Sequence, residues 1–69
     1  MHIELNHDEA TALRELLQER VVELDKEISA TESLKFKEGL REIARTNERI
    51  LGAVTRALEA SAGAERPAG

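Results

Sequence analysis

The sequence predicts an all-α fold, an antiparallel hairpin of two helices, and three observations lead to this prediction. Apolar residues recur every three or four positions through most of the chain, which is the period of an amphipathic helix. The first 38 residues contain neither glycine nor proline, so nothing interrupts a helix there. A segment rich in serine and threonine, 29–33, separates the two periodic stretches and marks the turn.

The first helix is predicted to span residues 7–29. Asn6 suits its N-cap, because the side-chain oxygen can accept a hydrogen bond from an amide of the first turn. Glu9 stands three residues later, which is the position that completes a capping box. The apolar face consists of residues at spacings of 3, 4, 4, 3 and 4, namely Ala10, Leu13, Leu17, Val21, Leu24 and Ile28.

The turn at 29–33 contains no glycine, so it is predicted from side chains that can cap a helix. Thr31 or Ser33 is expected to cap the second helix. The alternative is one continuous helix of about fifty residues, since no residue in the segment forbids a helix. The apolar row changes phase across 29–33, and this change favours the turn.

The second helix is predicted to span residues 33–60, with a heptad pattern typical of coiled coils. Its a positions are Leu40, Asn47 and Val54, and its d positions are Phe36, Ile43, Ile50 and Ala57. The e positions Ala44, Leu51 and Leu58 widen the apolar face beyond that of a two-stranded coiled coil. A face of this width is typical of a helix in a bundle. Gly39 and Gly52 lie off this seam and indicate either close approach of another backbone or simple tolerance.

The composition limits the protein to one small domain and excludes several classes of site. The 69 residues form a single helical domain over 1–60, and 61–69 are expected to form a flexible tail. The chain has no cysteine and one aromatic residue, which excludes disulfide scaffolds, zinc–cysteine sites and cysteine nucleophiles. It also has no apolar run that could span a membrane and no signal peptide, so we expect a cytoplasmic protein.

No catalytic, cofactor or metal site is expected, and we expect the protein not to be an enzyme. His2 and His7 do not share a helical face, and a closed metal site needs three or four ligands. The hydroxyl groups around the turn have no neighbouring histidine to activate them as nucleophiles. Carboxylates are plentiful, but two helices of this length enclose no pocket that would shift a carboxyl pKa for acid–base work.

Charge is divided unevenly between the two halves of the chain. Residues 1–30 carry eight acids and three bases, a net charge of −5, and 31–69 carry six acids and seven bases, +1. A basic stripe on the second helix comprises Lys37, Arg41, Arg45 and Arg49. The stripe would suit a phosphate backbone or an acidic partner, but acids at 38, 42 and 48 alternate with it. We therefore favour a solvated, ion-paired face and do not expect nucleic acid or membrane as a partner.

The apolar faces are wider than two helices can cover. The simplest assembly that would cover them is a homodimer that forms a four-helix bundle. The expected interface consists of Leu13, Leu17, Val21, Leu24, Ile28, Phe36, Leu40, Ile43, Asn47, Ile50, Leu51, Val54 and Leu58. Asn47 allows two interpretations: it is a buried amide that fixes register and oligomeric state, or it lies at the rim in water. A larger protein could take the place of the second copy on the same faces.

The segments that form the predicted helices and the turn resemble a group of short, uncharacterised bacterial helical-hairpin proteins. The resemblance rests on Ile3-Glu4-Leu5, Asp8-Glu9-Ala10, Leu13 to Leu17, Leu24, Glu27-Ile28, Thr31-Glu32-Ser33, Phe36 and Leu40. It implies an α-hairpin over residues 3–58 and no biochemical activity, and the sequence departs from it at Gly39. The sequence thus favours a non-enzymatic module for self-assembly or protein interaction. The alternative is a small regulator that contacts nucleic acid through the basic stripe.

Overall fold

A computed structural model describes the backbone of residues 1–65 and the side chains of residues 1–61. Two helices, α1 (His7–Ala30) and α2 (Leu34–Glu65), are joined by three residues and pack against each other. The packing is antiparallel, because the start of α1 and the end of α2 line the same groove. The described part of the chain contains no strand, so the all-α prediction is confirmed and a single continuous helix is excluded.

The capping box predicted at the start of α1 is present. The backbone amide of Glu9 donates to Asn6 Oδ1 at 2.8 Å, and the amide of Asn6 donates to Glu9 Oε1 at 2.9 Å. These two bonds satisfy amides that the first turn of a helix would otherwise leave without partners. Asp8 and Glu9 also place negative charge at the positive end of the helix dipole.

Thr31 and Ser33 cap different helices at the turn. Thr31 ends α1: its backbone amide donates to the Glu27 and Ile28 carbonyls, and its hydroxyl donates to the Glu27 carbonyl at 2.7 Å. Ser33 begins α2, since its Oγ accepts from the Phe36 amide at 3.4 Å and its carbonyl accepts from the Lys37 amide at 2.9 Å. A turn without glycine is possible because these hydroxyls replace a left-handed residue.

Helix α2 continues five residues past the predicted end at 60 and reaches Glu65. Alanine recurs through this stretch, and its high helix propensity extends α2 despite Gly63. Residues 66–69 of the predicted flexible tail lie outside the described residues. Helix α1 runs one residue past its predicted end at 29.

The core of the hairpin is one narrow seam between the two helices. Four apolar side chains are buried in it: Leu17, Leu24, Ala44 and Leu58. Half-buried residues flank these four, namely Leu13, Val21 and Ile28 on α1, and Leu40, Asn47, Leu51 and Val54 on α2. On α2 the seam therefore uses the a and e positions of the heptad.

Within the hairpin, α2 packs against α1 through its a and e positions and leaves its d positions exposed. The d residues Phe36, Ile43 and Ile50 are exposed, while the e residues Ala44 and Leu58 are buried. An apolar face that spans a, d and e is too wide for one neighbouring helix, so α1 covers only one of its two halves. The small side chain of Ala44 suits the covered half, because helices pack with their axes roughly 8–10 Å apart.

Neither Gly39 nor Gly52 is a point of close helix contact within the hairpin. A Cβ built at Gly39 meets no atom within 4 Å, and one built at Gly52 meets only the Arg56 guanidinium, at 3.3 Å from Nη1. The Arg56 side chain is long and flexible and can move aside. Gly52 also lies on the side of α2 opposite Ile43 and Ile50, away from the exposed apolar residues.

We expect Gly52→Ala to stabilise the protein, because alanine in a helix interior is favoured over glycine by about 1 kcal/mol. The melting temperature followed by circular dichroism should rise by roughly 4–8 °C for a domain of this size. Wild type and variant must be compared at one protein concentration, because assembly also shifts the melting temperature. A lower melting temperature would show that the contact with Arg56 cannot relax.

Candidate interaction surface

An apolar row lies on the surface of α2, outside the seam with α1. We call it the outer row; it consists of Phe36, Ile43, Ile50 and Ala57. Residues seven apart lie on one side of a helix after nearly two full turns. Phe36 is 71% exposed, Ile43 47% and Ile50 44%, although all three are large apolar side chains. A row of small exposed residues runs beside it: Gly39, Thr46, Ala53 and Ala60.

An apolar groove lies at the end of the hairpin opposite the turn. We call it the end groove, and three parts of the chain form its walls. Ile3 and Leu5 come from the segment before α1, Leu13 comes from α1, and Ile50, Val54 and Ala57 come from α2. The outer row therefore runs into the end groove at Ile50 and Ala57.

Two features of this surface escaped the sequence analysis. Ile3 and Leu5 alternate with polar residues, and this was the one sequence signal that they line an apolar wall. Leu16 is 63% exposed and lies three residues after Leu13, so it extends the same flank of α1 beyond the end groove. The apolar surface thus spans both helices.

The structure places the residues of the expected interface in two groups. Ten of the thirteen are buried or half-buried, and three of these ten also line the end groove: Leu13, Val54 and Leu58. The other three, Phe36, Ile43 and Ile50, are exposed and lie on the outer row. Any partner would therefore contact the outer row and the end groove before the seam.

Asn47 is half-buried at the border between the seam and the outer row. Its Nδ2 donates to the Ile43 carbonyl of the same helix at 2.8 Å. This bond satisfies one donor of the amide locally, as polar side chains in helices often do with the carbonyl four residues back. The Asn47 amide is thus neither fully buried nor fully in water, and its bond is made within its own helix.

The accessible surface of the chain is large for its mass. The chain exposes 5700 Å². A compact monomer of 7.7 kDa exposes roughly 4300 Å² by the usual scaling of surface with mass. The hairpin is also thin, with extents of 55 × 24 × 16 Å. The hairpin therefore has little interior, and most of its large apolar side chains remain partly exposed.

The basic stripe lies exposed, apart from the half-buried Lys37. Within residues 1–61, side chains form ion pairs at three places: His2–Glu4 at 3.9 Å, Arg20–Glu23 at 3.3 Å and Arg20–Glu27 at 4.0 Å. The expected pairing of the stripe with Glu38, Glu42 and Glu48 does not occur there. A shallow depression on α2 around Gly52 is lined by basic, acidic and apolar side chains, namely Arg45, Arg49, Arg56, Glu48 and Ile50.

Side chains that bind metals do not converge in the part of the chain that the structure describes. No group of three or more His, Cys, Asp or Glu residues there could hold a metal ion. His2 and Glu4 lie near each other, but both side chains are exposed, at 83% and 91%. No described helix is both long and apolar enough to span a bilayer.

Comparisons of the chain with protein-family models, curated proteins and solved structures found no match. The resemblance to bacterial helical-hairpin proteins therefore rests on the sequence pattern alone.

We expect Asn47→Leu to raise the melting temperature, because leucine would replace a partly covered amide with apolar surface at the seam. The same change should loosen control of the oligomeric state, which light scattering would show as species larger than those of the wild type. An unchanged melting temperature would place the amide at the rim, in contact with water.

Proposed function

We propose that the protein is a non-enzymatic self-assembly module, in which two hairpins pair as a homodimer and form a four-helix bundle. The observation that carries this proposal is the outer row, which holds large apolar side chains that the hairpin itself leaves exposed. A second copy offers the same row and the same end groove, so one self-complementary contact would cover both.

Burial of the outer row would stabilise a dimer more than exposed ion pairs would. Burying one isoleucine or phenylalanine side chain contributes about 1.5–3 kcal/mol, whereas an exposed ion pair contributes roughly 0.2–1 kcal/mol. Among the side chains of residues 1–61, the hairpin buries four apolar ones, and only Leu24 is fully buried. Its surface exceeds the compact expectation by about 1400 Å², and a standard interface covers roughly 800 Å² on each partner. A second copy would cover part of this excess.

The first experiment measures absolute mass by light scattering, together with circular dichroism over a dilution series. The chain has neither tryptophan nor tyrosine, so concentration must come from refractive index. We expect a helical species at twice 7.7 kDa that melts at lower temperature on dilution. A helical monomer at every concentration would overturn the proposal. A poorly helical monomer would do so too, and would indicate that a different protein covers these faces.

We expect Ile50→Asp to abolish the dimer and to lower helicity at the same concentration, because it places a charge where the outer row meets the end groove. Val22→Asp is the matched control, since Val22 is 53% exposed but lies on the far side of α1 from Leu16. The control should keep the mass of the wild type. If the dimer persists in Ile50→Asp, the outer row is not the interface.

A second candidate function is a small regulator that contacts nucleic acid through the basic stripe. The observation in its favour is that Arg41, Arg45 and Arg49 are exposed and that no described acid forms an ion pair with them. Binding of this kind must weaken steeply with salt, because it depends on the release of counterions.

Fluorescence anisotropy with a labelled DNA duplex tests this second candidate. If the candidate is right, the duplex binds at low salt, the affinity falls as salt increases, and replacing all three arginines with alanine abolishes binding. Because acids at 38, 42 and 48 alternate with the stripe, we expect no binding. Salt-dependent binding lost in the triple variant would favour the regulator instead.

A further inference from the structure

We propose that the two copies pair in antiparallel orientation, so that Phe36 of each copy inserts into the end groove of the other. This inference rests on the proposed function, because it specifies the geometry of the same dimer. The occupant of the end groove is thus the single phenylalanine of a second copy. Three features of the hairpin lead to this arrangement: the distance between its ends, the sizes along the outer row and the charges at each end.

Phe36 cannot fill the end groove of its own chain. It stands near the turn, and Ala57 stands 21 residues further along α2, so the two are about 31 Å apart along the helix axis. Each hairpin therefore has an exposed aromatic side chain at one end and an open apolar groove at the other. A two-fold axis perpendicular to α2 brings each aromatic ring to the groove of the other copy.

The outer row decreases in size along α2 in a way that fits antiparallel pairing. Phe36 is its largest member, Ala57 its smallest, and Ile43 and Ile50 lie between them. When two such rows run in opposite directions, Phe36 faces Ala57 and Ile43 faces Ile50, and all four positions are used. The smallest side chain leaves room for the largest, as close packing requires.

The same pairing brings two polar residues together at the centre of the dimer. With Phe36 opposite Ala57, the two-fold axis passes between positions 46 and 47. Because this axis keeps the same flank of both helices on one side, Asn47 of one copy then lies beside Asn47 of the other. One Nδ2 hydrogen of Asn47 is bonded to the Ile43 carbonyl, and the second can donate to Oδ1 of the other copy's Asn47. Asn47 would thus fix the register of the two copies.

Charges at the two ends of the hairpin favour the same orientation. Lys35 and Lys37 flank Phe36, and Glu38 lies on the opposite side of the helix from its ring. Three exposed acids, Glu4, Asp8 and Glu9, are adjacent in sequence to residues that line the end groove. Antiparallel pairing places lysines beside acids at both ends. Pairing turn to turn would place lysines beside lysines, and such like-charge contacts disfavour the wrong orientation.

Isotope-filtered NMR on the full chain tests this geometry directly. Equal amounts of ¹³C-labelled and unlabelled protein are mixed, so that only contacts between copies give filtered nuclear Overhauser effects. The chain has one phenylalanine and no other aromatic residue except two histidines, so its ring signals can be assigned without ambiguity. We expect contacts from the Phe36 ring to the methyl groups of Ile3, Leu5 and Leu13.

The outcomes separate this inference from the proposed function. If light scattering shows a dimer but these contacts are missing, the antiparallel geometry is wrong and self-assembly stands. If the protein remains a monomer at the concentrations used for NMR, both proposals fail. Ring contacts between the two Phe36 side chains would identify the turn-to-turn orientation and would also overturn the inference.

A pair of alanine variants measures how much the aromatic ring contributes. Phe36→Ala should raise the dissociation constant of the dimer at least tenfold, as expected when an aromatic anchor at an interface is truncated. Leu34→Ala is the matched control, because Leu34 is 75% exposed but lies on the other flank of α2. Its dissociation constant should stay within about twofold of the wild type. Equal effects of the two changes would contradict a specific role for Phe36.

Discussion

The structure depends on the apolar face of α2, which is wider than α1 can cover. Helix α2 carries apolar residues at three heptad positions, and α1 covers only two of these, the a and e positions. A stripe about 100° wide is what one neighbouring helix can cover. The remaining positions form the outer row, which is continuous with the end groove. The stability of the hairpin and the self-assembly that we propose therefore depend on the same helix.

Local features of the fold were predictable because they depend on residues close in sequence. The capping box of Asn6 and Glu9 needs only the spacing of two residues and the free amides of a first turn. The turn was likewise predictable from its hydroxyl side chains and the change of phase. The extension of α2 to Glu65 was not predicted, because serine, glycine and proline in 61–69 are typical of a tail. The high helix propensity of the alanines there nevertheless extends the helix.

The orientation of α2 about its own axis was not predictable in the same way. The heptad pattern is equally compatible with a seam through a and d or through a and e, since both recur with a period of seven. The small size of Ala44 and the narrow contact with α1 decide for a and e. The end groove was beyond sequence reasoning because Ile3 and Ala57 become neighbours only once the hairpin has formed.

The two flanks of α2 carry different chemistry, and this bears on which partner the hairpin would bind. One flank has the outer row, which Asn47 borders on one side and Thr46 on the other. The other flank has the basic stripe, where acids alternate with bases and limit the local positive potential. Large apolar side chains left in water cost more than solvated arginines that lack ion pairs. Burial by a partner is therefore favoured more strongly on the apolar flank, where we propose that a second copy of the chain binds.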